Sequence, residues 1–205
     1  GAIRDKVVAE GLEIDPGLKA HYGHRMESAT RRLLEVLAER DIKAPFFVGG
    51  EIPQLNPGLV REIHRGGHEV ASHSWDHRRV HNLTPASFAE DLRRSKDALE
   101  QATGAAVVGY RVPTFSVVRQ TAWAIDVLAE QGFLYDSSIF PVRHDRYGVP
   151  GAPRVPFLAR GAQHTLLELP PATLRLLGAN LPLGGGGYFP LFPVFLMWLA
   201  LPQPR

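Results

Sequence analysis

Two histidines four positions apart are the clearest chemical signal in this chain. His73 and His77 bound the segment His-Ser-Trp-Asp-His, which directly follows the strand-like residues 69–72. If the segment turned helical after the strand, positions i and i+4 would share one face, and both imidazoles could bind one cation. Neutral imidazole suits zinc, cobalt, nickel or iron better than calcium or magnesium. The alternative is a pair of ordinary surface histidines, since the chain contains nine of them.

Composition narrows the classes of function that this chain can have. Its 205 residues, 44% hydrophobic and 21% charged, are typical of one soluble globular domain. A net charge of +2 without a long lysine or arginine run argues against nucleic acid as a partner. The absence of cysteine excludes disulfides, thiol catalysis and cysteine-rich zinc sites. Ser74, where zinc peptidases need glutamate, excludes their His-Glu-x-x-His motif.

Apolar periodicity and turn residues divide the chain into alternating helices and strands. The predicted helices cover residues 26–40, 57–65 and 120–131, and a further helix begins at residues 84–85. The predicted strands cover residues 46–48, 68–72, 107–111, 133–136 and 166–169, and residues 137–161 are predicted to be a long loop. Repeated alternation with short connections predicts parallel strands joined by crossover helices, an α/β fold or a barrel of that type.

Polar, turn-rich segments follow three of the predicted strands. They are residues 73–77, 111–115 and 136–147. In α/β folds the functional residues gather in the loops at the carboxyl ends of the strands. We therefore expect the three segments to meet at one rim of the sheet, which favours the metal-site interpretation of the two histidines.

Longer strings around these segments match a known family. Residues 67–77 read Gly-His-Glu-Val-Ala-Ser-His-Ser-Trp-Asp-His, and residues 110–116 read Tyr-Arg-Val-Pro-Thr-Phe-Ser. In these strings the chain resembles the polysaccharide deacetylases, the NodB homology domain of carbohydrate esterase family 4. The resemblance extends over residues 26–198. The string Tyr-Asp-Ser-Ser-Ile-Phe-Pro at residues 135–141 resembles the subgroup linked to bacterial exopolysaccharide and protein-sorting gene clusters.

The resemblance implies a fold, a cofactor and a reaction. The fold would be an irregular (β/α) barrel with a divalent metal at the carboxyl ends of its strands; zinc is expected, with cobalt, nickel or iron as alternatives. His73, His77 and an aspartate would bind the metal, and a second aspartate, oriented by Arg111, would act as general base on a water. A histidine near the C-terminus would protonate the leaving amine. The implied enzyme is a metal-dependent deacetylase of N-acetylated polysaccharides or oligosaccharides. Without the resemblance, Arg111 could simply pair with a carboxylate.

Five further residues are candidates for contact with the substrate. We expect Pro113 and Phe115 to shape the turn and line the groove, and Tyr188 to line it as well. Asp136 ends a predicted strand, and His144 lies in a loop rich in hydrogen-bonding groups that suits a polar glycan. The simpler interpretations are that Asp136 only caps its loop and that His144 belongs to a solvated loop.

Two motifs of the family have no match in this chain. An aspartate pair is expected before the helix at residues 26–40, and a Leu-x-His motif is expected near the C-terminus. We therefore expect residues 1–205 to form a single deacetylase-like domain that lacks its first strand and its C-terminal part, and to be inactive by itself. No signal peptide is visible, and the apolar residues 191–201 are too few to span a bilayer. The bacterial cytoplasm and envelope both remain open, as does the oligomeric state.

Two other functions fit the same features. One is a non-catalytic glycan-binding domain on the deacetylase scaffold, which the missing aspartates favour and the histidine pair disfavours. The other is a metal-dependent amidohydrolase that removes acyl groups from small molecules. The loop at residues 137–161 would discriminate between substrates, because an open groove suits a polymer and a closed pocket suits a small molecule.

Overall fold

A six-stranded sheet flanked by helices forms the centre of the protein. The computed structural model describes residues 16–144 and 147–183. The helices, in chain order, are α1 (Pro16–Glu39), α2 (Ile52–Leu55), α3 (Pro57–Arg65), α4 (Pro85–Thr103) and α5 (Trp123–Glu130). The strands are β1 (Pro45–Val48), β2 (Glu69–Ser72), β3 (Gly109–Tyr110), β4 (Tyr135–Asp136), β5 (Phe157–Arg160), β6 (Thr165–Glu168), β7 (Thr173–Leu176) and β8 (Ala179–Pro182).

The sheet is mainly parallel, which confirms the predicted α/β class. Its strand order is β1-β2-β3-β4-β6-β5, and only β5 runs antiparallel to its neighbour. The register places Ser72 beside Tyr110, and Asp136 beside both Tyr110 and Glu168. Within the described residues the sheet is open, with β1 and β5 at its edges, so the barrel closure that the family implies is not formed by this part of the chain. Strands β7 and β8 make a separate hairpin.

The helices begin where their capping residues predict. The Asn56 side chain accepts a hydrogen bond from the Leu59 N–H at 3.0 Å, with proline at the first position of α3. Thr84 and Ser87 form a reciprocal capping box at the start of α4. The helix predicted over residues 26–40 is confirmed, but α1 already begins at Pro16, because a mostly polar helix shows little apolar periodicity.

Several short elements were not predicted from the sequence. Strand β5 lies within the predicted loop of residues 137–161, and hairpin β7–β8 and helix α2 were not predicted at all. Helix α5 begins at Trp123, later than predicted, because residues 119–121 form a 3₁₀ turn. Strand β5 is held by its pairing with β6 along all four of its residues. The pairing is a hairpin between consecutive strands, but a four-residue strand with little apolar alternation gives no clear signal in the sequence.

The core fills the space between the sheet and helices α3, α4 and α5. Its largest fully buried side chains are Tyr110, Phe88, Leu59, Leu92, Leu99 and Ile125. Helix α4 packs against α3, α5 and β2, so it lies directly behind the segment that follows β2. Among the helices of the described ranges, none is both long and apolar enough to cross a membrane.

Candidate functional site

The segment that carries the two histidines leaves β2 as a loop, so the helical turn that would place i and i+4 on one face is not formed. Ser74 and His77 have φ of 63° and 67°, in the left-handed region that a right-handed helix excludes. The His73 N–H donates to the Val48 carbonyl at 2.9 Å, which continues the β1–β2 pairing. The rings of His73 and His77 nevertheless meet, with centroids 5.0 Å apart and planes at 69°. The two imidazoles therefore lie side by side through loop geometry.

A single hydrogen bond defines the tautomer of His73. Its Nδ1 lies 2.6 Å from the Arg111 carbonyl oxygen. Because a carbonyl can only accept, Nδ1 carries the hydrogen and Nε2 keeps its lone pair. Burial, the largest effect, lowers the pKa of His73 to about 4, so the ring is neutral near neutral pH. Metal-binding histidines typically donate their one N–H to a carbonyl in this way and bind the metal through the other ring nitrogen.

Ser74, between the two histidines, is fixed by three hydrogen bonds. Its side-chain oxygen lies 2.6 Å from the Tyr110 hydroxyl inside the core. Its carbonyl accepts from the Gly50 N–H at 2.8 Å and from the Ser95 hydroxyl at 3.1 Å. These partners come from β3, from the turn after β1 and from α4, so three elements hold the left-handed backbone of this residue.

Asp91 on α4 holds the next residue of the loop. Its buried carboxylate accepts from the Trp75 N–H at 2.9 Å, and the Arg78 guanidinium lies 3.6 Å away. Burial raises the pKa of Asp91 above its ordinary value. The Arg94 guanidinium covers the Trp75 ring at 3.6 Å from the ring centroid. The prediction from sequence missed Asp91, although a carboxylate three positions after Phe88 on the apolar face of a helix is a signal that could have found it.

Gly50, in the turn after β1, packs closely against Ser95 of α4. A Cβ atom at this position would lie 2.6 Å from the Ser95 Cα and 2.8 Å from the Ser95 Cβ. Gly50→Ala is therefore expected to push α4 away and destabilise the protein by about 1–3 kcal/mol, as overpacking does. The measurement is the free energy of unfolding in urea. The matched control is Gly23→Ala on α1, which meets nothing within 4 Å and is expected to stabilise by up to about 1 kcal/mol. Equal stabilities for the two variants would contradict the predicted clash.

Arg111, directly after β3, turns its side chain inward. Its Nε donates to the Ser137 carbonyl at 3.0 Å, and its Nη2 donates to the Ser137 hydroxyl at 2.5 Å. The guanidinium lies 4.1 Å from the centroid of the Phe47 ring. Burial lowers the pKa of Arg111, while the charges of Asp136 and Glu168 oppose that effect. The predicted proximity of Arg111 to His73 and His77 is thus observed, and its role as an orienting residue stays a prediction.

The turn after Arg111 is strained. Thr114 and Phe115 have φ of 55° and 51°, which is unfavourable for residues other than glycine and costs roughly 1–3 kcal/mol each. Pro113 before them is buried. Strain of this kind collects at functional sites, where the surrounding structure enforces it. In this conformation the Phe115 ring contacts the rings of Phe140 and Tyr147.

An aromatic cluster, composed of Phe115, Phe140, His144 and Tyr147, lies next to this turn. The His144 and Tyr147 rings stack with centroids 3.8 Å apart, and Tyr147 stacks on Phe140 at 6.0 Å. Phe115 meets Phe140 at 4.8 Å and Tyr147 at 5.8 Å. The structure therefore brings Phe115 and His144 to one cluster, and their predicted contact with substrate, like that of Pro113, stays a prediction.

Two buried carboxyl groups lie under Arg111. Asp136 and Glu168 are both fully buried at the ends of β4 and β6, where they are register partners, and each has one oxygen without a hydrogen-bond donor among the described residues. Burial raises the pKa of Asp136 to about 6 and that of Glu168 to about 10, the latter also because Asp136 is close. The predicted contact of Asp136 with substrate stays a prediction. Sequence analysis missed Glu168, although a glutamate in an apolar strand beside two leucines could have indicated a buried charge.

Some predicted features lie outside the described residues. Tyr188 and the apolar residues 191–201 belong to this group. Within residues 16–144 and 147–183, no group of three or more histidine, aspartate or glutamate side chains is arranged to hold a metal ion. His73 and His77 are thus the paired candidate ligands that the described part of the chain supplies.

Comparison with known proteins identifies the family. A family model described as polysaccharide deacetylase matches residues 11–133, more than half of the chain. The chain therefore belongs to the polysaccharide deacetylase family, which confirms the resemblance inferred from the motifs. A second model, described as a domain of unknown function (DUF3473), matches residues 137–204.

Individual relatives are similar over part of their length. The peptidoglycan-N-acetylglucosamine deacetylase PgdA of Listeria monocytogenes is 32% identical over 108 residues, which cover 48% of this chain and 23% of that protein. The chitin deacetylase of Colletotrichum lindemuthianum is 31% identical over 107 residues, 49% of this chain and 43% of that protein. A crystal structure of a candidate polysaccharide deacetylase from Mycobacterium smegmatis superposes with a TM-score of 0.61 and 27% identity, covering 84% of this chain and 59% of that one. This likeness confirms the deacetylase-type α/β fold, and the chain spans less than half of either curated relative.

Proposed function

We propose that the chain is part of a metal-dependent hydrolase that removes N-acetyl groups from the amino sugars of a bacterial polysaccharide. The proposal is carried by the side-by-side rings of His73 and His77, with His73 held in one tautomer by the Arg111 carbonyl. Both the histidine pair and the Arg-x-Pro turn lie at the carboxyl ends of neighbouring parallel strands, where α/β enzymes place their catalytic groups.

We propose zinc as the metal, with cobalt, nickel or iron as alternatives. Two imidazoles are suitable donors for such a cation, and the lone pair of His73 Nε2 is available because Nδ1 carries the hydrogen. A bound divalent cation lowers the pKa of water and polarises an acetyl carbonyl. The part of this chain is to hold the two imidazoles in place, and the hydrogen bonds of Ser74 and Trp75 fix the loop that carries them.

An N-acetylated amino-sugar polymer is the substrate class that the relatives support. The two curated relatives are named as deacetylases of peptidoglycan N-acetylglucosamine and of chitin. The aromatic cluster beside the Arg-x-Pro turn is the kind of lining that ligand-binding sites use, with a few polar groups that set orientation. We propose that the sugar ring that carries the N-acetyl group packs against this aromatic cluster.

Acetate release from N-acetylglucosamine oligomers by the full-length gene product tests the proposal. Activity is expected to disappear when the metal is removed with a chelator and to return with zinc. Binding of oligomers without any acetate release would instead favour a non-catalytic glycan-binding domain. Release from small acylated molecules alone would favour a small-molecule amidohydrolase. Acetate release that is unaffected by chelation would contradict the metal-dependent mechanism.

A further inference from the structure

Glu168 is an ionisable residue in a fully buried position, where charged groups are normally excluded. It ends strand β6, is fully buried, and faces Asp136, its register partner on β4. Burying one ionised carboxylate is costly, and burying two in contact is more so, because like charges in a low-dielectric interior repel each other. The pair therefore needs either a proton or a cation between its oxygens.

The hydrogen bonds of the pair leave one oxygen of each carboxyl group for the other. Asp136 Oδ1 accepts from the Ser137 N–H at 2.8 Å and from the Ser138 hydroxyl. Glu168 Oε1 accepts from the Ile139 N–H at 3.0 Å. Asp136 Oδ2 and Glu168 Oε2 are buried and receive no donor from the described residues. Two buried carboxyl oxygens on paired strands, neither with a donor, are satisfied together if one hydrogen lies between them.

We propose that Glu168 is a positioning residue of the site: it keeps its proton at neutral pH and donates it to Asp136 Oδ2, so that the two groups together carry one negative charge. Asp136 is the ionised partner because it also accepts from the Ser138 hydroxyl. The raised pKa of Glu168, caused first by burial and then by Asp136, agrees with this assignment. The inference deepens the proposed function and rests on it for the link to the metal site.

One negative charge matches the one positive charge that faces the pair. Arg111, after β3, acts electrostatically on both carboxyl groups, and the neutral Tyr110 hydroxyl is the other titratable group that faces Asp136. Burial raises the pKa of Tyr110 well above its ordinary value, so it contributes no charge near neutral pH. A fully ionised pair would leave a net negative charge in the interior, whereas the singly protonated pair and Arg111 sum to zero.

The neutral cluster holds the backbone that orients His73. Ser137, directly after Asp136, accepts from the Arg111 side chain and donates its hydroxyl to the Leu169 carbonyl at 2.6 Å. Leu169, directly after Glu168, donates its N–H to the Asp136 carbonyl at 2.8 Å. The carboxyl pair thus closes a ring of contacts around Arg111, whose own carbonyl accepts from His73 Nδ1. Loss of the proton is expected to open this ring.

The pH dependence of stability tests whether Glu168 holds a proton. The native state keeps that proton from the ordinary pKa of glutamate up to the raised value of about 10, while the unfolded state loses it near pH 4.3. Stability of the parent must therefore fall with rising pH relative to Glu168→Gln, whose amide still donates to Asp136. The ratio of their unfolding equilibrium constants is expected to change by up to about tenfold per pH unit between pH 5 and 9. A ratio constant within about twofold would overturn the proposal, and the exposed Glu35→Gln serves as the matched control.

Infrared spectroscopy of the parent protein decides the protonation state without any variant. With ¹³C-carboxyl glutamate, a protonated carboxyl C=O band is expected at pH 7, absent from Glu168→Gln and retained in Glu35→Gln. The absence of such a band from the parent would show that the pair holds a metal cation or is fully ionised. This result would contradict the proposal even if the variant failed to fold.

Zinc affinity tests the positioning role. Glu168→Ala is expected to weaken zinc binding by about 10–100-fold, as the loss of an outer partner does, while Glu168→Gln stays within about threefold of the parent. Parent-like affinity in Glu168→Ala would overturn the positioning role. Failure of the parent itself to bind zinc would contradict the proposed function, whereas the infrared and stability measurements would still decide whether Glu168 holds a proton.

Discussion

Replacing His73 and His77 together by alanine is expected to abolish zinc binding, and to abolish acetate release by the full-length gene product. The two rings are adjacent, and His73 is locked as the tautomer with a free Nε2 lone pair. Loss of an outer hydrogen-bond partner alone typically costs about 10–100-fold in metal affinity, so loss of both imidazoles should exceed about 100-fold. Acetate release should fall by roughly a thousandfold or more, since several kcal/mol of transition-state stabilisation depend on the cation.

Calorimetric titration with zinc is the direct measurement for this pair. The matched control replaces two exposed histidines, His24 and His164, so that the number of histidines in both variants is the same. The control should bind zinc like the parent, and the urea unfolding of both variants should show that they are folded. If the site variant retained parent-like affinity, the metal hypothesis for these two histidines would be wrong.

Removal of the Arg111 side chain is expected to be the most destabilising single change near the site. Arg111→Met would leave the carboxyl pair of Asp136 and Glu168 without its cation and would break both hydrogen bonds to Ser137. Breaking a buried charge pair by removing one partner typically costs about 3–5 kcal/mol. Urea unfolding should show this loss, and zinc affinity should fall as well, since the Arg111 carbonyl orients His73.

A double variant separates charge balance from function. Arg111→Met combined with Asp136→Asn removes the unbalanced negative charge, so it should recover part of the lost stability without restoring zinc affinity or acetate release. Arg111→Lys keeps the charge but not the planar fork that reaches both Ser137 oxygens, so an intermediate stability is expected. Additive losses in the double variant would mean that Arg111 and Asp136 are not coupled.

Local signals in the sequence predicted the elements that place the site. Asn56 and Thr84 mark the starts of α3 and α4, and glycines close both helices. The alternation of helices with short apolar runs predicted a parallel sheet, and parallel strands bring the segments that follow them to one rim. His73, Arg111 and Phe115 were therefore predicted to lie together before their contacts were known.

Other features of the site could not be predicted because they depend on contacts between distant residues. The spacing of the two histidines suited a helical turn after β2, yet hydrogen bonds with Gly50, Ser95 and Tyr110 hold Ser74 in a left-handed conformation. The loop residues alone do not encode this left-handed conformation, because the hydrogen-bond partners that hold it come from the packed sheet and from α4. Strand β5 escaped prediction for a different reason: it is a four-residue hairpin strand with little apolar alternation.

Residue types and spacing determined the chemical groups available to this protein, which are two imidazoles suited to a transition metal and an Arg-x-Pro turn. The same residues identified the family, the polysaccharide deacetylases. Only the tertiary structure decided which of the side chains at the site carry protons, and on which atoms. The carbonyl of Arg111 selects the tautomer of His73, and the burial of Glu168 beside Asp136 favours a shared proton. The physical reason is desolvation: a side chain's charge state depends on which neighbours replace water, and those neighbours are brought from distant parts of the chain by folding.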